Sequence, residues 1–560
     1  MSVTLTASTV IALVLALPGA AAATVRTVDD SGGADFTTIG EAVAACVDGD
    51  TILVRAGTYT GPQNRGILID GMNIAVVGES GYLLTTIDCE GQDRAFYLTG
   101  AHDTTTVFRG LSVVNGDATA TRYTSGGAIL MFSGAPALVE DCYFGNNTAS
   151  DGGAIASGTA NVARMRDCVF DGNSATLFGG AVHCAYDHSA IRGCTFTGNT
   201  APEGGAVQLY YSTTSVVDCL FGPGNDAEMS GGALYCSQCP STPVVRGCTF
   251  TGNSAANGGG LHCWASTPWI EDCDFLGNVA ANSGGGLYAI PYGDSLTVTG
   301  CTFDGNSAWD GAGAYIGEGP LTMTGCAFTG NEASYWAGGL WVSSSSAAVV
   351  GCTFTDNTAD VAGALRVDGL QFGGFLSCAF TGNESLYNAG AVMWQGGSGN
   401  VQECTFSGNT AGAAGGAVYV KDSLPLVSGC TLSGNSSSTG QTGGIHEENG
   451  GGLVSNTVIA FSTAGSGIAV SGTGGPEIAH CCVFENAGGD SLPGYHHDNM
   501  FLDPRFCDMA SDDYTLCANS FCLPANNIWF ELVGAHGQGC AECDSATEHR
   551  TWGGIKALYR

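Results

Sequence analysis

Only two lysines occur among the 560 residues, Lys421 and Lys556, and the formal net charge is −35. A polyanion has no electrostatic means of binding nucleic acid, whose affinity rests on neutralised phosphates. An anionic membrane surface would repel it as well. No segment after the first residues approaches the ~18 apolar residues of a spanning helix. EF-hand loops and Gly-Gly-x-Gly-x-Asp runs are missing, so no metal ligands are expected. The acidity fits solubility of a long exported chain, with bound Ca²⁺ left open as a second outlet.

What is abundant is repetition. Cysteines recur at Cys142, Cys168, Cys194, Cys219, Cys248, Cys273, Cys301, Cys326, Cys352, Cys378, Cys404 and Cys430, spaced 25–29 residues apart. A fixed period of this size means a solenoid, whose units bury their apolar sides only against each other. Phe stands two positions after the cysteine in eleven of the twelve units, from Phe144 to Phe406, and Leu432 replaces it in the last. An apolar residue precedes the cysteine by three, as at Val139, Ile191 and Val245. Apolar residues two apart, with an outward residue between, read as strand. Gly, Asp, Ser or Glu just before the cysteine marks a bend.

Asn closes this segment, as at Asn147, Asn173 and Asn199, and can hydrogen-bond its equivalent one coil away. Gly-Gly-Ala and a second alternation follow, with inward columns through Ile155, Val182, Val207 and through Cys184, Leu209, Cys236. A leucine-rich repeat shares the period and the Asn ladder, but Gly, Ser, Thr and Asn fill the rest of each unit and are poor helix formers. The sequence therefore predicts an all-β, right-handed parallel β-helix of about twelve regular coils of ~26 residues, rising about 4.8 Å per coil. A short N-terminal capping helix and an irregular Cys-rich C-terminal cap complete it.

Phe144-Gly-Asn-Asn147 with Gly152-Gly-Ala-Ile155, and Phe170-Asp-Gly-Asn173 with Gly179-Gly-Ala-Val182, resemble the repeat of polymorphic outer-membrane proteins, within the pectin-lyase-like β-helix class. The resemblance spans roughly residues 120–450. Phe221 to Asn225 holds one extra residue, and Ala362-Gly-Ala-Leu365 lacks one glycine. The resemblance implies a secreted or cell-surface, outer-membrane-associated protein. The motifs of polygalacturonase, pectate lyase and pectin methylesterase do not appear.

Along the chain, residues 1–23 read as a secretory signal peptide, with an apolar core from Val10 to Leu17 and small residues to Ala23. Residues 24–120 read as an N-terminal cap and first irregular coils, with a helix over Glu41–Cys46 started near Asp35 or Thr37, a strand Asp50–Val54 and a turn Ala56–Tyr59. Regular repeats occupy 121–450, the last irregular coils 451–500, a cysteine-stapled cap 501–543, and 544–560 a tail that reads either as a sorting or docking segment or as a disordered end. No transmembrane span follows the signal peptide. Of the 25 cysteines, those of the ladder are expected as buried thiols, because stacked parallel Cα–Cβ vectors suit a disulfide poorly. Disulfides are expected among Cys507, Cys517, Cys522, Cys540 and Cys543. The pairs Cys236/Cys239 and Cys540/Cys543 have zinc-like spacing, but packing or disulfides explain them without further ligands.

Function has thinner support. An outward column between the two inward ones runs Ala156, His183, Gln208, Tyr235, His262, Tyr288, Ile316, Trp341, Arg366, and Tyr210 and Trp264 lie beside it. Flat rings on a rigid sheet stack on sugars or anchor proteins. His183, Tyr210, Tyr235, His262, Trp264 and Tyr288 are thus the expected ligand-binding residues, for an extracellular glycan or surface protein, unless the tyrosines simply pair as strand formers. Arg166, Arg192 and Arg246 share a column with Glu140 and Glu271, so charge compensation explains them better than uronate binding. No catalytic residues can be assigned, and adhesin-like binding without cofactor is the expected role. The alternative is a polysaccharide lyase or glycoside hydrolase acting on acidic polysaccharide, which needs grooved carboxylates that the outward columns supply only sparsely.

Overall fold

The computed structural model describes residues 23–240, 243–344, 346–541 and 543. The leader, Ala23 excepted, and the tail read over 544–560 lie outside the described residues.

Each repeat turns through four short strands. In one coil these are, in chain order, Ala190–Arg192 of the first sheet, Thr195–Thr197 of the second, Thr200–Glu203 of the fourth and Val207–Tyr210 of the third, each paired in parallel with its equivalents one coil away. The bend read before each cysteine is in place. Gly193 sits there at φ +62°, and Asp141, Asp167, Asp218 and Asp272 take φ of 51–54° at the same corner. Asp tolerates this left-handed conformation better than most residues. Behind the corner the apolar columns close on themselves. The eleven phenyl rings from Phe144 to Phe406 stack with centroids 4.5–5.1 Å apart and planes within 14°.

The asparagine ladder is continuous. Asn306 accepts at Oδ1 from the Asn278 backbone N–H and from Asn278 Nδ2, each at 3.0 Å. Its own Nδ2 donates to the Phe275 carbonyl and to Asn331 Oδ1, each at 2.9 Å. Every rung of this kind satisfies buried backbone groups that a turn would otherwise strand.

The strand after the asparagine was not expected. It forms a 12-stranded sheet, from Thr148–Asp151 to Ser436–Ser437, confined to the twelve repeat coils. Its signal was the alanine two places after most of these asparagines: Ala149, Ala175, Ala201, Ala227 and Ala255 are all buried. The coils also continue past the regular repeat. The first sheet has 19 strands, with four ahead of Leu138–Glu140 and three after Leu426–Ser428. At the usual strand spacing the rod is about 85 Å long.

At the N-terminal end the helix spans Ile39–Ala44, and Thr38 caps it, accepting from the Glu41 N–H while its hydroxyl donates to the Glu41 carboxylate at 2.9 Å. Ile39, Ala42 and Val43 bury against the first coil, covering an edge that would otherwise recruit strands. Gly57–Tyr59, read as a turn, is a strand of the second sheet, because Tyr59 places its ring in the core.

The C-terminal segment does not sit across the end of the rod. It folds back along the outward face of the second sheet. His536 contacts Thr405 Oγ1 at 2.7 Å, and the Ala535 N–H donates to Thr431 Oγ1 at 2.9 Å. Val458, Ala460 and Cys482, outward in their strands, bury with Leu516, Leu523 and Val533 in a second apolar cluster. Its three strands are Phe506–Asp508, Asp513–Cys517 and Gln538–Cys540.

Disulfides join Cys507 to Cys540 and Cys517 to Cys543. Cys522, expected among them, is a buried thiol. The ladder cysteines remain thiols and donate to carbonyls, as Cys168 Sγ does to the Arg166 carbonyl at 3.2 Å. Titration of unfolded, unreduced protein should find 21 thiols, and the native protein should expose almost none, since all 21 are buried. A count near nine would mean disulfides along the ladder, since pairing its twelve cysteines removes twelve of the 21 thiols.

Candidate functional site

The Gly-Gly corner decides what the outward column of the third sheet becomes. Gly204 takes φ +66°, and a Cβ on Gly205 would meet the Gly232 carbonyl oxygen at 2.1 Å. Only glycine permits so tight a corner. The end of the fourth-sheet strand is thereby folded over the third sheet. Phe178 stacks near His183 at 5.9 Å, Gln208 Nε2 donates to Glu203 at 3.2 Å, and Trp336 meets Trp341 edge-on at 5.0 Å. At these three coils the floor residue is covered by the residue five earlier, so the column lies along the floor of a crease.

This corrects the exposure read from alternation alone. His262 is 4% exposed and Tyr235 7%. Their rings lie 4.9 Å apart, and His262 meets Tyr288 at 4.7 Å. Burial pushes the His262 imidazole down to about 3, so it is neutral, and neither ring nitrogen has a hydrogen-bond partner among the described residues. His183 shifts down for the same reason. One position expected outward is inward. Ile316 is fully buried, and Tyr315 occupies the outward column, stacked on Tyr288 at 5.0 Å. The pairing with the previous coil is unbroken; Ala314 takes the inward place of Leu287, and so small a residue hid the phase of the alternation.

Farther along the crease, Arg366 lies over the Trp336 ring at 4.2 Å and donates from Nε to Asp368 at 2.9 Å. Asp310, half-buried at this wall, has its carboxyl raised to about 6 by desolvation.

Tyr210 and Trp264 stand differently. They belong to the next outward column, at the free edge of the third sheet, where the fourth strand does not reach. Tyr210 meets Tyr186 at 5.4 Å and Tyr211 at 4.8 Å, and Tyr186 stacks on Tyr211 at 5.1 Å. Trp264 packs edge-on to Tyr292 at 5.0 Å. Tyr186, Tyr211, Trp264 and Tyr292 are 47%, 37%, 36% and 49% exposed. Tyr186, Tyr211 and Tyr292 occupy left-handed corner positions with φ of 54°, 47° and 52°. Counting one rise of ~4.8 Å per coil, these rings cover about 19 Å of edge. Alternation could not find them, because a corner residue belongs to neither face of a strand.

A cleft of about 380 Å³ opens on the third sheet ahead of the repeats, lined by Leu68, Asp93, Tyr97, Arg122 and Tyr123. No fourth strand covers these coils. Buried Arg94 builds its wall, donating to the Ser125 carbonyl at 2.9 Å and to Thr121 Oγ1 at 2.6 Å.

The outward arginines are paired with acids. Arg166 and Arg109 converge on Glu140, Arg192 reaches Asp218 at 3.0 Å, and Arg246 reaches Glu271 at 3.9 Å. Cys236 and Cys239 are buried thiols in the core.

The model of the right handed beta helix region matches residues 180–359 and 363–498. That of the Chlamydia polymorphic membrane protein repeat matches residues 167–185. No curated protein matches the chain. Among solved structures, the mannuronan C-5 epimerase A-module of Azotobacter vinelandii aligns over 79% of this chain and 92% of its own, at 14% identity and a TM-score of 0.17. No helix among the described residues is long and apolar enough to cross a membrane.

Proposed function

The chain belongs to the right-handed beta helix family, and from that premise we propose that it is a surface-associated binding rod of the adhesin type. Its ligand is a neutral glycan, held on the aromatic edge of the third sheet. The polymorphic membrane protein repeat supports the surface location. The observation that carries the binding reading is the exposure of Tyr186, Tyr211, Trp264 and Tyr292 on a rigid edge. Rings held by neighbours lose little entropy when a sugar stacks on them. A net charge of −35 disfavours acidic polymers, which turns the reading toward uncharged saccharides.

A glycan array with the full chain tests this. The double variant Tyr211→Ala, Trp264→Ala should bind the best neutral glycan at least tenfold more weakly, the equivalent of about 1.4 kcal/mol. Tyr387→Ala, exposed at 52% after the fourth-sheet strands, should bind as wild type. Equal affinity in wild type and the double variant would remove the edge as the site. Capture of a surface protein with no glycan signal would redirect it to a protein partner.

A second reading has one observation behind it. The raised Asp310 carboxyl in a crease lined by Trp336 and Trp341 is the environment a general acid requires. The same glycan panel, scored for new reducing ends and unsaturated uronates, separates the two readings. Cleavage by wild type that is lost in Asp310→Asn would establish hydrolase or lyase chemistry.

A further inference from the structure

At the last coils the corner column changes chemistry. His480 and Asp498 occupy successive left-handed corner positions, at φ 56° and 53°. The strands before them pair Ala479 with His497. One ligand-capable atom from each of His480, His497 and Asp498 lies within 4.8 Å of the others.

The hydrogen bonds around these rings are those of metal-binding imidazoles. His480 Nδ1 donates to the Glu531 carboxylate at 3.0 Å, which leaves Nε2 for a ligand bond. Trp529 stacks on the same ring at 5.0 Å and 16°, fixing its plane. His497 Nε2 donates to Glu477 at 3.1 Å. Its Nδ1 then faces Asp498 Oδ2 at 2.9 Å. In a neutral ring with the proton on Nε2, those two atoms are both acceptors, and they repel unless a proton or a metal ion joins them. Two ligands on one zinc with bonds of ~2.0–2.1 Å lie roughly 3.0–3.4 Å apart. A carboxylate behind each imidazole raises its basicity and sets its tautomer.

We propose that His480 Nε2, His497 Nδ1 and the Asp498 carboxylate bind one divalent ion of the zinc class, with Glu531 and Glu477 as the supporting carboxylates. Two nitrogens and one oxygen suit Zn²⁺ over Ca²⁺ or Mg²⁺, which take oxygen ligands. Solvent completes the coordination, because His497 and Asp498 are partly open to it. Glu531 and Trp529 belong to the folded-back segment, so the site would be coupled to that segment through the His480 ring.

The test uses the full chain with its disulfides intact, stripped with EDTA and titrated with Zn²⁺. One ion per chain with micromolar or tighter affinity is expected. His480→Ala and His497→Ala should each weaken it at least a hundredfold, and Glu531→Gln ten- to a hundredfold, with unchanged circular dichroism. Cobalt on the wild type gives a readout independent of the variants. Weak visible d–d bands without strong near-ultraviolet sulfur charge transfer support the site, whereas a thiolate band places the ion on cysteine and overturns it. No saturable binding, or wild-type affinity in both histidine variants, overturns it as well.

Discussion

Asn306→Ala should cost the coils around it about 3–5 kcal/mol, far more than an exposed substitution on the same strand. The change strips an acceptor from the Asn278 backbone N–H and side-chain amide, and a donor from the Phe275 carbonyl. Asn306 is fully buried, and each buried polar group left alone costs ~1–3 kcal/mol. Because neighbouring coils share one ladder, the loss should spread to both sides of the rung. Amide hydrogen exchange read coil by coil checks this. Faster exchange centred on residues 275–335 and fading toward both ends is expected, whereas an effect under 1 kcal/mol would mean that water takes over the lost bonds.

Glu447→Val should stabilise the C-terminal coils, and by an amount that grows with pH. Glu447 stands in the inward column between Val420 and Val470, 2% exposed, with Oε2 lacking a partner. Burial raises its carboxyl to about 8. A folded value above the unfolded one means that the folded chain holds this proton more tightly. The associated stability is complete below ~4.5, the ordinary Glu value, and is lost as pH rises through 8. At ~1.4 kcal/mol per unit the wild type loses up to about 5 kcal/mol across that window. The valine variant loses none of it. Urea unfolding followed by exchange protection of residues 442–471, wild type beside variant at pH 5 and pH 9, measures the difference. A gap that is equal at both pH values would mean that the carboxyl is solvated.

The two substitutions also show how differently the parts of this chain could be read. Asn306 was legible because its role repeats: the same amide at the same place in every coil admits one explanation. Glu447 puts a charged residue type into a mostly apolar column that also holds Ser157 and Trp394, and a single such departure in a sequence gives no indication of which way the side chain points. The ligand-binding residues divide along the same line. Alternation correctly set Tyr235 and His262 on the outward side of their strand. It could not register that the fourth strand folds back over that side. Tyr186, Tyr211 and Tyr292 were missed because they lie at corners. His480 and Asp498 were missed because they fall after the last full repeat, where no period aligns them.

The sequence by itself determined the coil. Its period, the Phe stack, the Asn ladder and the thiol column each need only neighbours one repeat away, and a regular repeat supplies those neighbours automatically. Tertiary structure alone decided which outward faces meet water. The Gly-Gly corner buries one aromatic column and leaves the edge beside it open, and the folded-back C-terminal segment closes part of the second sheet and brings Glu531 to His480. Those contacts join residues through the angle between sheets or across tens of residues of non-repeating chain, and neither quantity is written in the spacing of side chains along a strand.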